Sequence, residues 1–238
     1  MTAATPQGVT YHPDLDQGSE PWLSARCGLL TASEMRLILT PTLKIADNEK
    51  TRAHVWELLA QRITRYVEPH YIGDDMLRGM SDEIDARLMY EKHCAPCQTM
   101  GFITNDKWGF TIGYSPDGLV GNDGLIEAKS RRQKFQVQRI AELTVDPDHM
   151  LQLQTGLLVS ERQWVDYISY CGGLPMLVLR VFPDPVMQDA IISAAEVFEA
   201  RLAEKHKDFR AAMDGSTRMY PTKRRENDMN MQDGEYGE

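Results

Sequence analysis

Cysteine is scarce in this 238-residue chain. Its four residues, Cys27, Cys94, Cys97 and Cys171, are too few and too scattered for a disulfide framework, so a reducing compartment is expected. Long apolar runs are missing as well. No stretch approaches the ~20 residues of a membrane span, and the N-terminus lacks the basic-then-apolar layout of a secretory signal, so a soluble, cytoplasmic protein without membrane contact is expected. There is no internal repeat, no Gly-Lys-Ser/Thr phosphate loop, no His-Glu-x-x-His and no nucleophile elbow. With these motifs absent, energy from ATP is not implied. His93-Cys94-Ala95-Pro96-Cys97 is a lone Cys-x-x-Cys. Without a second close pair the four ligands zinc prefers are not met, and free thiols near a helix end are expected. Positive charge is also in deficit, with 26 Lys and Arg against 35 Asp and Glu for a net charge of -9. That balance argues against a broad nucleic-acid-binding surface, because phosphate contacts come from basic side chains. One local exception stands out: Lys129, Arg131, Arg132, Lys134 and Arg139 fall between residues 129 and 139 with no acid among them. Taken by itself, this cluster reads first as a solvated helix face.

The residues that are present suffice for one sizeable core, since 42% of them are hydrophobic. Residues 1–20 are polar and read as a flexible arm, residues 21–213 as a single domain, and residues 214–238 as a mobile polar tail. Thr31 and Glu34 form a capping box that starts a helix through about Leu39. Helical stripes come next, over 51–66 and 74–93. Alternation predicts strands in 102–104 and 108–114, which with 125–129 would make an antiparallel meander. Helices at 133–143 and 147–160, strands at 164–171 and 176–182 around Gly172-Gly173, and a helix over 185–213 complete the order. This order fits an α+β fold with a central mixed sheet flanked by helices.

The chemistry concentrates in residues 113–132. Asp117 lies in a Pro-Asp-Gly turn, and a glycine-punctuated hairpin leads to Leu125-Ile126-Glu127-Ala128-Lys129. On a strand, Glu127 and Lys129 share a face while Ala128 points the other way. If the hairpin folds back, two acids and an amine surround one pocket. Such an oxygen-rich site suits a hard divalent cation, and the chemistry it favours is phosphodiester hydrolysis. Taken alone, the same spacing also fits a cross-strand ion pair in solvent.

Ser115-Pro116-Asp117-Gly118 followed by Glu127-x-Lys129 resembles the PD-(D/E)XK nuclease signature, and in detail the phage lambda exonuclease family of viral recombination nucleases. Three further elements in family order extend the similarity over about residues 20–185: Trp22-x(3)-Arg26-x-Gly28-x(2)-Thr31-Ala32-Ser33, Gly79-x(3)-Glu83-x(2)-Ala86, and Gln152-x-Gln154. The resemblance implies a restriction-endonuclease-like core. It implies that Arg26, Ser33 and Ser115 bind the 5′-phosphate of a DNA end; Arg131 and Arg132, from the basic patch beside the proposed metal site, are expected as further DNA contacts. Asp117, Glu127, the Ala128 carbonyl and Glu83 would hold two Mg²⁺ ions, Mn²⁺ being the other candidate. Lys129 would position or deprotonate the attacking water. Of the two glutamines, which as residues two apart on a helix cannot share a face, Gln154 is expected at the active site. Met76 or Leu77 would separate the strands at the duplex end.

The family's activity is exonucleolytic: one strand of linear double-stranded DNA is degraded 5′ to 3′ to mononucleotides. This leaves a 3′ overhang for a single-strand annealing protein in a phage or prophage recombination system. Ring-shaped homotrimers, also implied, would let an acidic protein act processively with basic residues only in the channel. The alternatives are a restriction-type endonuclease and a catalytically silent module that binds DNA ends.

Overall fold

The computed structural model describes residues 8–69, 73–215 and 217–224. The parts of the expected arm and tail at 1–7 and 225–238 lie outside the described residues. Eight strands and six α-helices succeed one another among them. Four strands, β1 (Val9–His12), β2 (Leu30–Thr31), β3 (Phe102–Asn105) and β4 (Ile112–Tyr114), form one mixed sheet in the order β1-β3-β4-β2. The other four, β5 (Gly118–Val120), β6 (Gly124–Ser130), β7 (Trp164–Tyr170) and β8 (Leu177–Val181), form a second in the order β5-β6-β7-β8. In each sheet one neighbouring pair is parallel, β2 with β4 and β6 with β7.

The expected α+β class holds, but the sheet is divided. β4 does not continue into a meander with β6, because the Ser115-Pro116-Asp117 turn carries the chain from one sheet to the other. A second correction concerns the N-terminal arm. Val9–His12 pair in antiparallel register with Phe102–Asn105, and Tyr11 Oη donates to the Ser160 carbonyl, so order begins well before Pro21. The third lies at Thr31. The capping box is made, with Glu34 accepting from both the Thr31 backbone N–H and its hydroxyl, but the turn it opens is a 3-10 helix, Ala32–Leu37. A separate short helix, α1 (Glu20–Arg26), precedes it.

The remaining helices fall close to expectation: α2 (Glu49–Thr64), α3 (Asp74–His93), α4 (Gln133–Glu142), α5 (Pro147–Ser160) and α6 (Pro185–Met213). Strand β6 shows why so much of the chain is apolar. Leu125 joins the main core, with α2, α5 and α6, whereas Ile126 and Ala128 join a second cluster with Ala86 and Tyr90 of α3. The strand is therefore covered on both faces, and its alternation places Glu127 and Lys129 on the α5 side. Close approach of α5 depends on Gly156. A Cβ there would sit 2.7 Å from Cζ of Tyr114, closer than any carbon pair tolerates.

Candidate active site

Glu127 is 2% exposed, and a carboxylate at such a depth needs a full set of donors. It has three. Tyr114 Oη donates to Oε2 at 2.8 Å, while Lys129 Nζ at 2.7 Å and Gln152 Nε2 at 2.6 Å donate to Oε1. Asp117, delivered by the turn between the sheets, accepts from the backbone N–H of Ala128 at 2.6 Å. Glu83 reaches the same place from α3, with its carboxyl in hydrogen-bond contact with Asp117. Four of the expected groups, Asp117, Glu127, Lys129 and Glu83, thus meet, and Ala128 supplies backbone between them.

The electrostatics arise from crowding acids in low dielectric. Burial first, then repulsion from Glu127 and Glu83, pushes the Asp117 carboxyl well above the usual range, against Lys129 and the Ala128 N–H. Glu83 is raised by burial and by Glu127, with the Asp117 hydrogen bond opposing. Burial alone would lower Lys129, but Glu127, Asp117 and Glu83 outweigh it and hold the ammonium charged. Burial and the Glu127 charge likewise keep Tyr114 a phenol, hence a donor.

Do these residues fit a divalent cation? Among the described residues no three His, Cys, Asp or Glu side chains stand as a ready-made cage. The donor chemistry nonetheless fits: three carboxyls and a backbone carbonyl are hard oxygens, and two of the acids are pushed toward protonation by burial and by the neighbouring acids. A bound cation would relieve that imbalance.

Along the same pocket lies a second constellation. A cavity of about 180 Å³ is lined by Arg26, Ser33 and Ser115 together with Asp117, Glu127 and Gln152. Arg26 stacks 4.3 Å from the Trp22 ring centroid, and its guanidinium donates to Ser115 Oγ and Thr31 Oγ1, both at 3.3 Å. Trp22 Nε1 also donates to Ser115 Oγ, at 3.0 Å. Burial lowers the Arg26 pKa, with Glu34 opposing, yet an arginine stays charged. A cation held by an aromatic face and two neutral hydroxyls has capacity left for an anion.

Other expected residues fall elsewhere. Gln154 is turned away from the acids. Its amide donates to the Phe182 carbonyl and accepts from Asp184 N–H, each at 2.8 Å, so Gln152 takes the place expected for Gln154. The helix can present only one of the two to β6, and Gln154 shares its side with the α6 approach. Arg131 is not free for DNA. Its Nη2 is bonded to Asp146, to Tyr167 Oη at 2.6 Å and to His149 Nδ1 at 2.8 Å. Arg139 pairs with Glu142 and Asp146. Arg131 and Arg139 are therefore neutralised by acids that come after them on α4 and the α4–α5 connection; Arg132 and Lys134 lie exposed on the surface. Met76 and Leu77 are exposed near the start of α3, at 52% and 55%. All four cysteines are free thiols. Tyr114, Thr31 and Trp22 were not singled out from the sequence as site residues. Their one signal was adjacency to, or membership of, the motifs around Ser115 and Arg26.

Two mixed sheets flanked by helices, with an aspartate at a turn and Glu-x-Lys on the next long strand, define a nuclease core of the PD-(D/E)XK class. The chain belongs to the YqaJ-like viral recombinase domain family, whose model matches residues 21–163. Among solved structures it is similar to an alkaline exonuclease (LHK-Exo) from Laribacter hongkongensis, with 27% identity over 82% of this chain and 98% of the other and a TM-score of 0.73. The same exonuclease in complex with dAMP matches at 28% identity over 83% and 100%, with a TM-score of 0.69. A phage-related exonuclease from Haemophilus somnus 129PT shares the fold, with a TM-score of 0.52 at 13% identity over 74% and 96%. No curated protein matches. No helix among the described residues is long and apolar enough to cross a membrane.

Proposed function

We propose that this protein is a divalent-metal-dependent DNA exonuclease that degrades one strand of linear duplex DNA from a 5′-phosphorylated end. It releases mononucleotides and leaves a 3′ overhang for a single-strand annealing partner, in the cytoplasm of a host carrying the phage or prophage. One observation carries the reading: the acids Asp117 and Glu127 share a pocket wall with Arg26, Ser33 and Ser115. A terminal phosphate held by the second group places the adjoining phosphodiester beside the first.

Asp117, Glu127 and the Ala128 carbonyl, helped by Glu83, would hold two Mg²⁺ ions, which supply charge neutralisation for the scissile phosphate and its leaving oxygen. The protein's own groups do the rest. Arg26, Ser33 and Ser115 bind the terminal phosphate and fix the cutting position. Lys129 stays protonated against Glu127, so it orients a water or the phosphate and holds a proton at Nζ. Tyr114 and Gln152 fix the Glu127 carboxylate by donating to opposite oxygens. The exposed apolar residues of α3, Met76, Leu77, Met80, Ile84 and Leu88, offer a surface on which strand separation or assembly into a homotrimeric ring could rest.

The test uses linear duplex labelled at either end, with Mg²⁺. Shortening from the 5′-phosphorylated end with release of mononucleotides is expected, and a covalently closed circle should survive intact. Cleavage of the circle would replace the exonuclease reading with an endonuclease. Binding without any cleavage would reduce the protein to a silent end-binding module.

A further inference from the structure

We propose that Arg36 and His149 form a subsite for an internucleotide phosphate of the strand being cut, one step inward from the phosphate at the acids. The subsite rests on the nuclease reading and extends its substrate contacts. Two rows of side chains define it. The 3-10 helix Ala32–Leu37 packs along α5. Ser33 of the first and Gln152 of the second line the pocket at the acids. Residues three apart eclipse one another on a 3-10 helix and share a side of an α-helix. The next pair along both rows is therefore Arg36 and His149, close enough for the Arg36 charge to act on the imidazole.

The chemistry of this pair is that of an anion site. The Arg131 guanidinium can only donate, so His149 Nδ1 accepts, and the neutral ring carries its proton on Nε2 as a second donor. The His149 side chain is 25% exposed, and Arg36 is exposed. Charged groups around the ring are Lys129 from β6, Arg131 just after it, Arg36 from the 3-10 helix and Asp146 at the start of α5, with the Tyr167 ring 6.0 Å away. Three of those four charges are positive. The one carboxylate is already divided between Arg131 and Arg139. Burial and the cations Lys129 and Arg131 accordingly hold His149 neutral, with its pKa lowered to about 3. Arg131 Nε, moreover, is buried with no acceptor. Lys129 and Arg131 are balanced by Glu127 and Asp146, so what this corner offers beyond its own acceptors is the exposed Arg36 guanidinium and the His149 Nε2–H. A phosphodiester, singly charged and acceptor-only, matches that surplus.

The experiment measures binding of 5′-phosphorylated duplex over a salt series, with Ca²⁺ replacing Mg²⁺ to suppress cutting. Arg36→Ala should weaken binding roughly tenfold, the size of one charge-assisted hydrogen bond, and reduce the slope of log K against log salt by about 0.9. His149→Phe, which keeps a ring but no nitrogen, should weaken binding, and His149→Gln, which keeps an acceptor for Arg131 and a donor, should restore it. Replacing only the proposed phosphate with a methylphosphonate should weaken wild type to a similar degree and cost Arg36→Ala nothing more. Should His149→Phe fail to fold, the exposed Arg36→Ala decides alone. An unchanged salt slope, or a methylphosphonate penalty equal in wild type and Arg36→Ala, overturns the subsite while leaving the nuclease reading intact. Wild type that neither binds nor cuts duplex ends sinks both.

Discussion

Replacing Gln154 with alanine should destabilise the protein without disarming it, whereas replacing Gln152 should disarm it. Gln154 is 1% exposed and ties α5 to the entry of α6 through the Phe182 carbonyl and the Asp184 N–H. Asp184 in turn caps α6, accepting from Val186 and Met187 N–H at 2.9 and 3.2 Å. Truncation leaves one backbone acceptor and one backbone donor without their partner. Both sites are partly wet, so the loss should be about 2 kcal/mol, toward the low end for two abandoned groups. For a chain of this size that corresponds to a fall in Tm of roughly 4–8 °C. Activity at 25 °C should stay within about threefold of wild type, since nothing at the acids has moved. Gln152→Ala removes one of the three donors to the buried Glu127 carboxyl, worth about 1.5–3 kcal/mol for a hydrogen bond to a charged group. Its cost should appear in kcat, as a roughly ten- to hundredfold loss, beside a fall in Tm of similar size to that of Gln154→Ala. Thermal melts beside initial rates on labelled linear duplex separate the two. A Gln154→Ala protein that melts normally but does not cut would refute the argument, as would a fully active Gln152→Ala.

Lys129→Ala should bind DNA ends in a mobility shift yet cut them roughly 10²–10⁴ times more slowly, the range of a positioned proton-handling group; normal cutting would end its assigned role. Arg26→Ala should reduce the preference for 5′-phosphoryl over 5′-hydroxyl ends by roughly tenfold, one charge-assisted contact, and an unaltered ratio in competition assays would count against the phosphate pocket. For stability, His149 is neutral when folded, with its pKa lowered to about 3 from the ordinary 6.5. The unfolded chain therefore binds the extra proton as pH falls through that window, and stability contributed by this group is complete above about pH 6.5 and is lost toward pH 3. The difference between wild-type and His149→Gln denaturation curves should grow with pH across this range and level off above it; a flat difference would show that the ring titrates normally.

Local sequence determined a good deal of this molecule. Helix and strand spans were legible because amphipathic period and capping chemistry are written in neighbouring residues: α3 and α6 begin and end where the pattern over 74–93 and 185–213 places them. The meeting of Asp117, Glu127 and Lys129 was legible for the same reason. A strand's period of two forces Glu127 and Lys129 onto one face, and a short hairpin returns Asp117 beside them. Other features depended on partners distant in the chain. Val9–His12 looks like an arm until β3, over ninety residues later, pairs with it. The cationic run after Lys129 looks like a DNA surface until Asp146 and Glu142 fold against Arg131 and Arg139. Nothing in Gln-x-Gln says which glutamine faces the acids, because that is fixed by the rotation of α5 against β6 and α6, a matter of packing at Gly156 and Tyr114 and not of propensity. Short-range periodicity sets which residues share a face; only the tertiary contacts decide what that face meets.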